Sequence, residues 1–162
     1  MERLWAPWRL DYITGEKVDG CIFCVYPQQS DDEKNHILLR GKHAYVIMNA
    51  FPYSNGHLLV PPYRHIAGID GLTDEESLEI MQLTRKCTAA LGEVCRPDGF
   101  NVGINIGTAA GAGIADHVHL HVVPRWNGDT NFMPVFADAK VIPEALETTY
   151  KKLKEQFDRL TG

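Results

Sequence analysis

Apolar and polar positions form short extended runs in the first 61 residues and again between residues 100 and 123, while two longer stretches repeat at helical spacing. Ile37-Leu38-Leu39-Arg40, followed by Gly41, predicts a short strand and turn, and His43 to Met48 predicts a second strand. Residues 49–56 read as a loop, with Pro52 and Asn55-Gly56 as turn formers, and His57 to Pro61 as a third strand stopped by Pro61-Pro62. Thr73-Asp-Glu-Glu76 is a capping-box signature, with acidic residues at the positive helix end. Ile80, Leu83, Cys87, Leu91 and Val94 continue that helix on one face until Pro97-Asp98-Gly99 ends it. Phe100 to Ile106 and Val118 to Val123 predict a fourth and a fifth strand. Pro143 opens a last helix, with Leu146, Tyr150, Leu153, Phe157 and Leu160 on one face. Strands on hairpin-length loops with helices interposed predict an α+β fold with an antiparallel sheet.

The ends differ from this body. Residues 1–20 place Trp5 and Trp8 in an irregular arm, expected to pack on the body of the protein or on a second subunit. Residues 127–141 are a long irregular segment, so residues 127–162 form an extension that carries the last helix. Without a repeat, a low-complexity stretch or a linker, residues 1–162 are expected to form a single domain.

Composition narrows the class. A hydrophobic content of 44% and a charged content of 23% are ordinary for a globular protein, and the net charge of −5 argues against broad capture of a nucleic-acid backbone. The chain shows neither an apolar run of membrane-spanning length nor a basic-then-apolar leader, so a soluble, cytoplasmic protein is expected. Cys21 and Cys24 form a C-x-x-C, which in a reducing compartment reads as a metal or redox site rather than a disulfide.

The chemistry concentrates in residues 116–126, where His117, His119 and His121 alternate with Val118, Leu120 and Val122. In a strand, alternate side chains share a face, and three imidazoles on one face are a poor choice for packing alone. Two chemistries fit: a metal centre, or histidine acting as nucleophile and acid/base at phosphorus. The preceding loop, residues 105–116, carries Gly107, Gly111 and Gly113, whose small size lets backbone N–H groups approach an anion. Directly after the strand, Arg125 offers a forked cation suited to phosphate, and Trp126 could shield the site from water. That position places both at the mouth of a phosphate pocket; the plainer alternative is a solvated Arg125 and a packed Trp126.

Taken together, residues 117–123, the block Gly56-His57-Leu-Leu-Val-Pro61 with His65, and Cys21-Ile-Phe-Cys24 resemble the histidine triad family of nucleotide hydrolases and transferases. Residues 3–9 and 124–132 are similar to the bacterial branch that includes diadenosine tetraphosphate phosphorylases. The resemblance implies a five-stranded antiparallel sheet, usually in a homodimer. It implies His119 as nucleophile at the α-phosphate of an adenosine-containing nucleotide, with its Nδ1–H held by the carbonyl of His117. His121 would reach phosphate oxygens or the leaving group, and His57 would line the same pocket.

The resemblance also implies Asn49 at the ribose, where many members have aspartate. Ile22, Phe23 and Ile47 would lie around the base or, equally, in the core, and Asn105 on the phosphate side. At Gly113 many members carry Ser or Gln, so backbone N–H groups of Gly111, Ala112, Gly113 and Ile114 would have to hold phosphate. In zinc-bearing relatives the ligands match Cys21, Cys24, His65 and His117, giving a structural zinc site; the alternative is a pair of buried thiols. The function implied is phosphorolysis of diadenosine tetraphosphate to ADP and ATP, with inorganic phosphate as co-substrate. Hydrolysis by the same route, a nucleotide-binding regulatory module, and a metal-dependent oxygenase built on the three histidines are the competing readings.

Overall fold

A computed structural model describes residues 18–130 and 142–162. The aromatic arm with Trp5 and Trp8, and the irregular segment from 131 to 141, lie outside the described residues. The fold is α+β. A four-residue helix α1 (Ile22–Val25) precedes strands β1 (Ile37–Arg40), β2 (Tyr45–Met48) and β3 (Leu58–Val60). Helix α2 (Asp74–Cys95) follows, then β4 (Gly99–Ile104), β5 (Leu120–Arg125) and helix α3 (Leu146–Thr161). The strands form one five-stranded sheet in the order β1-β2-β3-β5-β4, with every neighbouring pair antiparallel.

Strand alternation divides the sheet into two faces. Leu38, Val46, Met48, Leu58, Val60, Leu120 and Val122 pack on one face against Ile80, Leu83, Cys87 and Leu91 of α2 and Leu153 and Phe157 of α3. The other face carries Ile37, Tyr45, Ile47 and Leu59 in a smaller cluster with Phe23 of α1. Leu59 pairs with His121, which puts His121 on this second face. Both helices cover one face only, so the histidine side is left to α1 and the loops.

Helix α2 starts as its sequence predicts. Thr73 accepts from the Glu76 N–H, and the Glu76 carboxylate accepts from the Thr73 N–H. The same carboxylate takes a bidentate pair from Arg64, whose guanidinium also reaches Gly71 O at 2.7 Å. This ties the loop carrying His65 to the helix start. One turn on, Glu79 accepts from the backbone N–H groups of Lys42, His43 and Ala44, fastening the β1–β2 turn to the same helix. Gly56 is required where it stands: its φ is +76°, and a Cβ there would sit 2.9 Å from Leu91 Cδ2.

The strand boundaries differ from the pattern-based expectation. β2 begins at Tyr45, since the turn before it is held by Glu79. β4 runs from Gly99 to Ile104 rather than Phe100 to Ile106, because its last pairing partner is Leu120. β5 runs from Leu120 to Arg125, two residues later than predicted. Upstream of it the backbone is committed elsewhere: His117 N–H to Ile114 O, and Val118 N–H to Ile66 O. Helix α3 starts at Leu146, with Ala145 as N-cap; Pro143 lies just outside it.

Candidate active site

Only His121 of the three alternating histidines is in a strand; His117 and His119 lie in the segment leading into β5. They still converge with His57, and all four rings are buried. The centroids of His119 and His121 are 4.8 Å apart, and those of His57 and His121 5.1 Å.

Backbone groups decide which ring nitrogens carry hydrogen. His119 Nδ1 lies 2.8 Å from His117 O, so it must be the N–H and Nε2 the lone pair. Phe23 closes on this ring at 4.7 Å between centroids, and burial holds its pKa below the usual histidine value. A neutral imidazole with its Nε2 lone pair directed by the opposite N–H is a nucleophile at physiological pH. His117 is fixed the other way. Its Nε2 lies 2.9 Å from Pro62 O and must donate, leaving Nδ1 as the lone pair.

That Nδ1 faces three further donors. Cys21 Sγ is 3.4 Å away, Cys24 Sγ 3.5 Å and His65 Nδ1 3.2 Å, while Cys24 Sγ and His65 Nδ1 are 3.4 Å apart. The four ligand atoms lie within 4.8 Å of one another. A tetrahedral zinc with bonds of about 2.3 Å to sulfur and about 2.05 Å to nitrogen has S–N edges of about 3.6 Å and N–N edges of about 3.3 Å. The cluster therefore has the size and donor set for zinc. Among the described residues the four cysteines, Cys21, Cys24, Cys87 and Cys95, are free thiols. With Nε2 on Pro62 O and Nδ1 turned to Cys21, Cys24 and His65, the His117 ring faces away from His119, and it is the His117 carbonyl that holds His119 Nδ1.

On the far side of His119, His57 Nε2 lies 2.9 Å from His121 Nδ1. Nε2 of His121 is buried without a partner among the described residues. Burial, with the neighbouring His119 second, lowers the His121 pKa to about 4. Tyr53 stacks on His121 at 5.7 Å and 11°. Its part in the site has no sequence signal, since it acts through its ring face and its backbone N–H, which any residue type carries.

The glycine loop sits between β4 and His117, with Gly107 and Gly111 at φ +80° and +84°. Two of the four N–H groups expected to hold phosphate close the loop itself, Gly111 onto Thr108 O and Ala112 onto Gly107 O. Those of Gly113 and Ile114 meet no backbone acceptor among the described residues. A Cβ on Gly113 would meet nothing within 4 Å, so the missing side chain leaves open space. Asn105 is half-buried just after β4.

Three further expectations resolve unevenly. Phe23 and Ile47 are only 1% and 2% exposed and belong to the core cluster, whereas Ile22 and Ile114 are half-buried at its edge. Asn49 has both ends of its amide engaged, Oδ1 by the Phe51 N–H at 2.9 Å and Nδ2 by His57 Nδ1 at 3.2 Å. Arg125 does not stand beside the histidines. Strand β5 carries it four residues past His121, roughly 13 Å at the usual rise. There its fork closes on Asp129, at 2.6 and 2.7 Å, and on Asn101. Trp126 donates to Cys95 O at the end of α2, which makes it packing rather than a shield.

The model of the HIT domain matches residues 30–128. A protein from Mycobacterium tuberculosis named AP-4-A phosphorylase is 42% identical over 168 residues, covering 98% of this chain and 86% of its own. An adenosine 5'-monophosphoramidase from Schizosaccharomyces pombe is 31% identical over 138 residues, covering 85% of this chain and 98% of its own. Among solved structures, a Zn-bound histidine triad family protein from Mycobacterium smegmatis superposes with a TM-score of 0.68 at 26% identity, covering 87% of this chain and 95% of its own.

Proposed function

Because the chain belongs to the HIT domain family, we propose that it transfers a nucleotidyl group from a dinucleoside polyphosphate to inorganic phosphate through His119. The observation that carries this reading is the 2.8 Å bond from His119 Nδ1–H to His117 O, which presents the Nε2 lone pair beside a His121 Nε2 that has no partner among the described residues. With diadenosine tetraphosphate, Nε2 of His119 attacks the α-phosphorus. The P–N bond forms, the bond to the bridging oxygen breaks, and ATP departs with the electron pair. Phosphate then attacks the same phosphorus, the P–N bond breaks, and ADP leaves with neutral His119 restored. The N–H groups of Gly113 and Ile114, with Asn105, are suited to the phosphate oxygens. Asn49 is at hand for the ribose, and Ile22 and Ile114 for the base.

Cys21, Cys24, His65 and His117 would hold a structural zinc, and a four-ligand site leaves no open position for substrate. Its role is to anchor His117, whose carbonyl sets His119. A zinc site of this kind also needs both cysteines reduced, free to bind as thiolates, in keeping with a reducing cytoplasm. The sheet edge at β4 exposes Val102, with Ile106 beyond it, and we assign this edge to contact between copies in a homodimer or larger assembly.

The test is to incubate the protein with diadenosine tetraphosphate, with and without inorganic phosphate, and identify the products. ADP plus ATP, accelerated by phosphate, supports phosphorolysis. AMP plus ATP at a rate indifferent to phosphate makes it a hydrolase, and binding without turnover makes it a regulatory module.

A further inference from the structure

His117 O and the Val118 N–H belong to one peptide unit, and its two ends are held by different partners. His117 O accepts from His119 Nδ1 at 2.8 Å, and the Val118 N–H donates to Ile66 O at 2.7 Å. A trans peptide is planar, and its C=O and N–H point opposite ways. The Ile66 bond therefore fixes the plane from which the carbonyl reaches His119. It also polarises that carbonyl, since a peptide group that donates at its nitrogen is a stronger acceptor at its oxygen. The ring of His119 is thus oriented through Ile66 as well as through His117.

Ile66 lies in a loop with few other ties. Before it, the Tyr63 N–H donates to His43 O at 2.9 Å, in the turn between β1 and β2. From residue 64 to residue 72, among the described residues, the one backbone bond to another part of the chain is that from the Val118 N–H to Ile66 O. Side chains of Arg64 and His65 add to it. His65 turns to the metal cluster, and the Arg64 guanidinium closes the loop. Its Nε and Nη2 take the two carboxylate oxygens of Glu76 at 2.6 and 2.7 Å, and Nη2 also donates to Gly71 O at 2.7 Å. Glu76 is only 3% exposed and is itself fixed by the capping box. The fork thus binds both ends of the 64–71 loop to the start of α2, with Ile66 between them.

We propose that Arg64 is a positioning residue for the nucleophile: by clasping the 64–71 loop to Glu76 it keeps Ile66 O on the Val118 N–H, and so holds the His117 carbonyl where His119 Nδ1–H meets it. The inference rests on nucleotidyl transfer through His119. The attacking Nε2 lies across the ring from Nδ1, so a tilt of the 117–118 peptide plane turns the lone pair away from the phosphorus. The Arg64 side chain is 51% exposed, and an exposed cation could instead meet substrate phosphate. The two roles separate kinetically. A lost phosphate contact raises KM, whereas lost alignment lowers kcat.

The experiment compares wild-type protein, Arg64→Met and Arg64→Lys at equal zinc content, checked by elemental analysis. With diadenosine tetraphosphate and inorganic phosphate, Arg64→Met is expected to lower kcat about tenfold or more, with KM within about twofold of wild type. Arg64→Lys keeps a cation for Glu76 without the fork and should recover part of the loss. A raised KM at unchanged kcat, or no change in either, would overturn the proposal. Amide hydrogen exchange on full-length protein without substrate reads the link itself. The Val118 N–H should exchange about tenfold faster in Arg64→Met relative to the amides of β5, which follow global stability. Val118 exchange that changes only in step with β5 would overturn the proposal. If Arg64→Met does not fold, Glu76→Gln takes its place, because glutamine there can keep the capping box while the charge facing Arg64 is lost. The same relative gain at Val118 is expected, and its absence counts equally against the proposal. Wild-type protein that turns over no dinucleotide would end the nucleotidyl-transfer reading, while the exchange result still decides whether Arg64 holds the Ile66–Val118 bond.

Discussion

The hydroxyl of Tyr45 donates to the carbonyl oxygen of Phe23 at 2.8 Å, joining the buried second strand to the short helix α1 that Cys21 opens and Cys24 lies in. Phe23 in turn lies against the rings of both His117 and His119, 5.3 and 4.7 Å between centroids. Tyr45 is wholly buried, and burial raises its pKa far above the ordinary tyrosine value, so it stays a donor. Tyr45→Phe keeps the ring and leaves the Phe23 carbonyl without its partner. The expected loss is about 1–2 kcal/mol in urea unfolding. An unchanged midpoint would show that the carbonyl finds another donor.

The metal cluster makes a compositional prediction. Protein purified without added metal should contain one zinc per chain by elemental analysis, and Cys24→Ser should lower the zinc content and the melting temperature together. Wild-type protein with no zinc and two freely titrating thiols at Cys21 and Cys24 would refute it.

His119→Ala should reduce turnover of diadenosine tetraphosphate by about a thousandfold or more while nucleotide binding persists, because it removes the attacking nitrogen and little of the pocket. Rapid-quench turnover and equilibrium binding, measured on the same preparation, check both halves. Near-normal turnover would remove His119 from the mechanism.

Stability should fall in mild acid. The His121 pKa is lowered from 6.5 to about 4 in the folded protein, first by burial and then by His119. Between those values the unfolded chain binds the extra proton and the folded one does not, so the contribution is fully present above pH 6.5 and is lost as pH falls through 4. His36, His117 and His119 shift in the same direction, each chiefly through burial. His121→Gln should therefore flatten the pH dependence of the unfolding free energy without abolishing it, and an identical slope in the variant would contradict the assignment.

Local rules account for much of what the chain does. The capping box at Thr73, the helical spacing through Leu91 and the extended run at Leu58–Val60 appear in the structure as the sequence predicts, since each depends on neighbours a few residues away. The triad, the C-x-x-C and His57 could likewise be singled out by residue type and spacing. The roles of those residues were decided at long range. His117 and His119 are separated by a single residue, yet Pro62 O turns one ring toward Cys21, Cys24 and His65, while His117 O turns the other toward the pocket. The strand boundary fell two residues late because Ile66, from a distant loop, took the Val118 N–H. Arg125 sat beside the histidines in sequence and was carried away from them by the rise of β5 into the grip of Asp129. Side-chain type and spacing determine which chemistry the chain can perform. Which nitrogen holds the proton, and which cation meets the pocket, depend on backbone donors and acceptors that every residue carries alike, so only the tertiary structure could assign them.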